Sequence, residues 1–389
     1  MAKRSNGEGS VYREKSTGTW VAQIEWTDRS GQSHRKRWRS SKQAVVRQNL
    51  KDFRIQLLFT QGGASDFEGI LFSQYSEFWL TEVLKPKLKP SSYMRKEVTL
   101  RNQVIPYIGN IPILLVKDSD IRAMIKELQT QGLSHSTIKK AYECVNGCFK
   151  YFLDNNDVFG VRNPCKGVTL PRDESEGQDV VFFTKEQREL IVAEATRCWG
   201  TGTPVYRMGW AIPLLMYTGM RIGELLALTW EDVDMDGKTI SINKNAVVLK
   251  VDGQYKLTTQ NSTKTKSGRR IIPINSQAYK ALLEIQKITG DEPYVICTAN
   301  HRQVVPRKLN ENFHHILERA GIMGDGRSYG VHTLRHTFAS MLFQNGCSVK
   351  VVSELLGHSD TGITQNTYIH LINEQKVAAI GAIDSFIDD

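Results

Sequence analysis

Thr218-Gly219-Met220-Arg221-Ile222-Gly223-Glu224-Leu225-Leu226 places one arginine and one glutamate, three residues apart, in an otherwise apolar stretch. Four further clusters follow it. Thr263-Lys264-Thr265-Lys266-Ser267-Gly268-Arg269-Arg270-Ile271-Ile272-Pro273 reads as a β-hairpin, a glycine turn followed by an apolar strand. His332-Thr333-Leu334-Arg335-His336 comes next, then Leu355-Leu356-Gly357-His358-Ser359, and last Asn366-Thr367-Tyr368-Ile369-His370. The chemistry can draw from them two arginines, a lysine, two histidines and a tyrosine, with no cluster of carboxylates.

That set suits the breaking of a phosphodiester. The reaction places negative charge on the non-bridging oxygens, and a planar guanidinium can bind two of them at once. Two arginines can neutralise a phosphorane-like transition state without a metal. A tyrosine hydroxyl can attack phosphorus and become a covalent phosphotyrosine. The leaving 5′-oxygen then needs a proton, which a lysine on a mobile hairpin can supply. Histidines can hydrogen-bond the phosphate and assist proton transfer from the tyrosine. The covalent ester keeps the bond energy, so a second DNA strand can attack it in a nearly isoenergetic reversal.

Each residue has a plainer reading too. Arg221 could be a buried structural arginine paired with Glu224, and Glu224 itself reads as a buttress for that arginine. His332 and His336 are four residues apart, as zinc ligands on a helix would be. The residue after the first histidine is Thr333, however, not the glutamate of HExxH, and no third ligand is signalled. Tyr368 has no close rival as nucleophile; the nearest other tyrosine, Tyr329, lies upstream of His332. Lys266, Arg269 and Arg270 read as contacts to backbone phosphates.

Outward from these motifs, the charge is uneven. The 389 residues carry 51 Lys and Arg against 41 Asp and Glu, a net +10. Residues 1–62 alone hold 13 basic and 5 acidic residues, so most of the surplus sits there. Such a surplus points to a polyanion, either nucleic acid or an anionic membrane. No stretch approaches the roughly 18 apolar residues of a spanning helix, and the basic start lacks the apolar run of a secretory signal. Six scattered cysteines read as reduced thiols in a cytoplasmic protein.

The basic segment alternates: Trp20, Ala22, Ile24 and Trp26 interleave with Val21, Gln23 and Glu25, the period of a half-buried strand. After a turn at 28–31, Arg35, Arg37 and Arg39 fall on one face of a further strand. A three-stranded sheet followed by a helix over about 41–60 fits, and a β-ribbon bearing arginine can enter a DNA groove. Residues 67–155 read as helical, with Phe72, Tyr75, Phe78 and Trp79, then Ile121, Met124, Ile125 and Leu128, at helical spacing. Ser134 and Ser136 open a helix carrying Lys139 and Lys140, basic residues for a DNA edge, and Tyr142, Val145, Phe149 and Phe152. Residues 156–180 are a linker, and Thr184 with Gln187 forms a capping box opening the third domain. The fold class is multidomain α+β: a small three-stranded sheet plus helix, a helical domain, and a mainly helical domain with a small β-sheet or hairpin.

In this order the motifs resemble those of the tyrosine recombinase (phage integrase) family, and the likeness spans the chain. Within the family it resembles integrases of phages and conjugative transposons. The resemblance implies an arm-type DNA-binding domain over 1–62, a core-binding domain over 67–155 and a catalytic domain over 181–389. It makes Arg221, His332, Arg335 and His358 catalytic and Tyr368 the nucleophile. The catalytic lysine is Lys264 or Lys266, with Lys264 preferred. Thr333 stands where many relatives carry aspartate, which bears on helix capping more than on chemistry. The implied reaction forms a 3′-phosphotyrosyl link, needs no metal or nucleotide cofactor, and runs in a homotetramer on two duplexes. An excisionase and a DNA-bending protein are further partners of such enzymes. Val377, Ile380, Ile383 and Ile387 form an amphipathic tail that packs either on its own domain or on a neighbouring protomer.

Two other functions fit parts of this pattern. A type IB topoisomerase shares the chemistry but has no use for the basic first domain. A non-catalytic DNA-binding architectural protein has no use for the nucleophile.

Overall fold

The computed structural model describes residues 9–27, 32–61, 67–156, 158, 160–173, 180–251, 254–261, 269–324, 327–369, 371–373, 375–377 and 380. The chain forms two compact units, residues 1–176 and 177–389.

The first unit begins with strands β1 (Ser10–Arg13), β2 (Trp20–Thr27) and β3 (Ser33–Ser40), an antiparallel sheet in that order. Trp20 lies opposite Ser40 and Thr27 opposite Ser33, so β2 and β3 pair along their whole length. The alternation in β2 does what its period demands. Ala22 and Ile24 are buried beside Trp20, Trp26 and Trp38, and helix α1 (Gln43–Gln61) closes the face with Val46 and Leu50. The strand-strand-strand-helix expectation is borne out.

Helices α2 (Phe72–Phe78), continued by a π-helical stretch over Trp79–Leu84, α3 (Pro90–Thr99), α4 (Ile105–Ile108), α5 (Asp118–Thr130) and α6 (His135–Asn155) complete the unit. Their core gathers the aromatic and aliphatic residues picked out by period: Phe72, Tyr75 and Trp79, Ile121, Met124 and Leu128, Phe149 and Phe152. Phe59 of α1 joins this second core. Ser134 caps α6, its hydroxyl accepting from the Thr137 N–H at 3.3 Å.

The second unit opens with α7 (Lys185–Ala195), whose capping box is present in both directions: the Thr184 N–H donates to Gln187 Oε1 at 3.0 Å, and the Gln187 N–H to Thr184 Oγ1 at 3.3 Å. Next come α8 (Ala211–Thr218), buried along nearly its whole length, and α9 (Ile222–Ala227). Strands β4 (Val233–Asp234), β5 (Thr239–Ile242), β6 (Lys244–Val251), β7 (Gln254–Asn261) and β8 (Arg270–Pro273) follow. Helices α10 (Ser276–Thr289), α11 (Pro306–Arg319), α12 (Val331–Gln344), α13 (Val349–Leu356) and α14 (Thr361–Thr367) end the described elements.

The strands bear on one sequence reading. Of the hairpin expected over 263–273, residues 263–268 lie outside the described residues, and the apolar strand is present as β8. Strands β6 and β7 form a separate hairpin, from Lys244–Asn261 to Val251–Gln254. Strand β8 pairs with β5, with Ile240 opposite Ile272. Both isoleucines are buried in the unit's main core. Burying that pair decides the partner, a long-range choice that a local turn signal does not contain.

Candidate active site

Arg221 is the residue before α9, in extended backbone, and Glu224 lies one turn in. The Glu224 carboxylate is nearly sealed from solvent and accepts four hydrogen bonds. Its Oε1 takes Arg221 Nη1 at 2.8 Å and Arg270 Nη1 at 3.0 Å. Its Oε2 takes the Arg221 backbone N–H at 2.8 Å and Arg270 Nη2 at 2.8 Å. Burial alone would raise its pKa. The Arg270 hydrogen bonds and the charges of Arg270 and Arg221 outweigh burial and bring it down to about 2. Glu224 is therefore a fixed anion that aims one arginine and holds another, as its reading as a buttress anticipated.

A second support comes from the end of α13. Three consecutive carbonyls there each accept from a different arginine. Leu355 O takes Arg270 Nε at 2.8 Å, Leu356 O takes Arg335 Nη2 at 2.6 Å, and Gly357 O takes Arg221 Nη2 at 3.2 Å. The last carbonyls of a helix have no partner within it and carry the negative end of its dipole, so they suit guanidinium groups. Gly357 adopts φ 68°, the left-handed conformation that ends the helix and turns the chain away. Arg335, on α12 and 3% exposed, also donates Nη1 to Gly219 O at 2.8 Å. Gly219 has φ +65°, and a Cβ there would lie 2.2 Å from the Phe338 ring. Both glycines thus serve as carbonyl platforms for the arginines. Burial and then the Arg221 charge lower the Arg335 pKa, yet a guanidinium stays charged at neutral pH.

The histidines surround the same place. His358 follows Gly357 and shares its Nδ1 with Thr364 Oγ1 at 2.7 Å. Burial, then Arg335, Arg221 and Arg270, lower its pKa to about 4. His332 lies on α12, one turn before Arg335, and is lowered by burial, Arg335 and Arg221 in turn. Tyr368 follows α14 and is 1% exposed, packed with Phe338, Phe343, Val352, Leu356 and Leu371. Burial pushes its hydroxyl well above the ordinary range, partly offset by the Arg335 charge. Its Oη lies 2.7 Å from His336 Nδ1.

The second unit thus brings together Arg221, His332, Arg335, His358 and Tyr368 around the end of α13 and the start of α12. Lys264 and Lys266 lie outside the described residues. Arg270 is corrected: its side chain is 7% exposed, and all its donor nitrogens serve Glu224 and Leu355 O instead of facing a backbone phosphate. The sequence reading missed His336, weighing it only as half of a zinc pair. The available signal was its place four residues after His332, on the same helical face. At position 333, threonine does the capping expected of an aspartate, its Oγ1 accepting from the Gly330 N–H at 3.2 Å.

In the first unit Lys139 and Lys140 are exposed on α6, and Arg35, Arg37 and Arg39 are exposed on β3. Gln23 Oε1 accepts from Arg35 Nη2 at 2.7 Å and from Arg37 Nε at 3.2 Å. Arg35 also pairs with Glu25 at 3.1 Å, and Arg39 with Glu14 at 3.6 Å.

Comparison with known proteins gives this arrangement its class. Residues 181–375 match the phage integrase family, and residues 71–129 match the phage integrase N-terminal SAM-like domain. The chain belongs to the phage integrase family, the tyrosine recombinases: enzymes that cut and rejoin DNA in site-specific recombination. It is 30% identical over 349 residues to a XerC-like tyrosine recombinase of Caldanaerobacter subterraneus subsp. tengcongensis, covering 83% of this chain and 85% of that one. It is 25% identical to the ICEBs1 integrase of Bacillus subtilis, covering 75% and 77%. Among solved structures, the Tn1549 transposon integrase in complex with transposon right end DNA matches with a TM-score of 0.64 at 22% identity, over 77% of this chain and 95% of that one. A lambda integrase dimer bound to a COC′ core site matches with a TM-score of 0.57 at 14% identity, over 94% and 96%. At those identities the structures show the shared fold. No helix among the described residues is long and apolar enough to cross a membrane.

Proposed function

We propose that this recombinase is the integrase of a mobile element, and that Tyr368 is its nucleophile. Tyr368 Oη attacks the scissile phosphorus, the bond to the 5′-oxygen breaks, and a 3′-phosphotyrosyl link with a free 5′-hydroxyl results. Lys264 supplies the proton to the leaving oxygen. Arg221 and Arg335 hold the phosphate oxygens, and His332 and His358 hydrogen-bond them. No metal or nucleotide takes part.

The single observation that carries this reading is the anchoring of Arg221 and Arg335 to adjacent carbonyls, Gly357 O and Leu356 O. Two guanidiniums held on neighbouring carbonyls can bind one anion together, and the transition-state phosphorane is such an anion. Residues 1–62 bind arm-type sites through Arg35, Arg37 and Arg39, and residues 67–155 bind the core site with Lys139 and Lys140. A homotetramer assembles on two duplexes in the cytoplasm. Support for docking of the tail on a neighbouring protomer comes from Val377 and Ile380, which are 73% and 64% exposed; Ile383 and Ile387 lie outside the described residues. An excisionase and a DNA-bending protein complete the reaction.

A nicked suicide substrate tests the nucleophile. The native protein should accumulate a covalent adduct, and Tyr368→Phe should bind the same DNA and form none. An adduct with the Phe variant would remove Tyr368 from the role.

A further inference from the structure

Resting on that assignment of Tyr368, we propose that His336 is a further catalytic residue, the base that takes the phenolic proton as Tyr368 attacks phosphorus. The geometry points to it directly. His336 Nδ1 lies 2.7 Å from Tyr368 Oη, hydrogen-bonding distance. Tyr368 is 1% exposed and its ring packs against Phe343, so bulk water is not at hand to take a proton. The two other histidines of the site are otherwise placed. His358 has its Nδ1 on Thr364. His332 meets the His336 ring edge-on, at 4.8 Å between centroids.

The protonation state suits an acceptor. Burial, then the neighbouring His332 and Arg335, bring the His336 pKa down to about 4. At neutral pH the ring is uncharged, and with its proton on Nε2 the Nδ1 lone pair faces the phenol. So low a basicity keeps the resting pair inert against a hydroxyl whose own pKa is raised. A bound phosphodiester changes that balance. Its negative charge, held by Arg221 and Arg335, offsets the positive field that disfavours the imidazolium. The base thus gains strength when substrate occupies the site.

The step balances. The Tyr368 O–H bond breaks and its proton passes to His336 Nδ1. The Oη–P bond forms and the P–O5′ bond breaks, with the 5′-oxygen taking its proton from the general acid. His336 holds the first proton until an incoming 5′-hydroxyl attacks the phosphotyrosine, when Oη regains it.

The test measures single-turnover formation of the covalent adduct on the nicked substrate, with DNA binding as the control for folding. His336→Ala and His336→Gln should each slow the adduct by about 10²–10⁴-fold, the usual scale of general acid–base catalysis. Glutamine can still hydrogen-bond the phenol, so it separates proton transfer from positioning and serves if the alanine variant fails to fold. Replacing Tyr368 by a trifluorotyrosine, a more acidic phenol, should restore at least about tenfold in the His336→Gln background. A His336→Gln protein that cleaves at the native rate, or one that the fluorinated phenol does not rescue, overturns the proposal. Tyr368→Phe keeps the two readings apart. No adduct with Phe and full cleavage with His336→Gln removes His336 alone, whereas an adduct with Phe removes the nucleophile assignment beneath it.

Discussion

Two groups of three arginines sit in this molecule under opposite physical conditions. Arg35, Arg37 and Arg39 stand on a strand face in water, paired loosely with Gln23, Glu25 and Glu14. Arg221, Arg270 and Arg335 are fastened to Glu224 and to three successive carbonyls of α13. In the exposed set the long side chains keep contact with water, and salt screens their charges. In the anchored set the ordering cost is met on folding, so the guanidiniums are in place before any phosphate arrives. The comparison separates a surface of exposed, adjustable charges from a site whose charges are held in one geometry.

The comparison breaks most sharply at Glu224. Glu224→Ala would leave the buried Arg270 without its counter-charge. Removing one partner of a buried pair costs on the order of 3–5 kcal/mol, which a shift of the urea midpoint at unchanged m-value would register. A midpoint within experimental error of the native one would mean that the carbonyls alone can hold the arginines.

Acid sharpens it next. Glu224 is depressed from 4.5 to about 2 in the folded protein. Its contribution is therefore whole above the unfolded pKa and fades as pH falls through about 2. That shift corresponds to roughly 3 kcal/mol. His336 and His358, both lowered to about 4, are uncharged in the fold and take up protons on unfolding. They make stability fall as pH drops from about 6.5 toward 4. Thermal unfolding from pH 7 to pH 4 should show that decline, and His358→Gln should flatten it. An unchanged slope would deny His358 its buried, neutral state.

The smallest effect belongs to the exposed set. Replacing Arg35, Arg37 and Arg39 together by alanine should leave the unfolding midpoint nearly unmoved, since surface substitutions fall within about 0.5 kcal/mol. It should reduce the slope of log affinity against log salt by about 0.9 for each DNA phosphate that the variant no longer neutralises. An equal slope in both proteins would show that this strand face does not meet the backbone.

Much of this was legible in the linear chain, for reasons that particular residues make plain. The period of Trp20, Ala22, Ile24 and Trp26 forecast a half-buried strand, and α1 covers that face. The 121, 124, 125 and 128 spacing forecast a buried helix stripe, and α5 has it. Arg221, His332, Arg335, His358 and Tyr368 stood out because each sits in a short motif that the chemistry explains. Arg270 did not, because its pairing partner is 46 residues away. The pairing of β8 with β5 was not legible for a similar reason: Ile240 and Ile272 meet only once the core forms.

The amino-acid order by itself determined which side chains this protein has for moving a phosphoryl group, and roughly which helices and strands carry them. Those properties follow from residue type and from periods of two and 3.6, both local quantities. Only the tertiary structure decided that Leu355, Leu356 and Gly357 each present a carbonyl to a different arginine, and that His336 stands against Tyr368. Such pairings join residues 21 to 136 positions apart. Hydrogen bonds of that kind depend on distance in space, which the packing of α9, β8, α12, α13 and α14 sets and no short window of sequence contains.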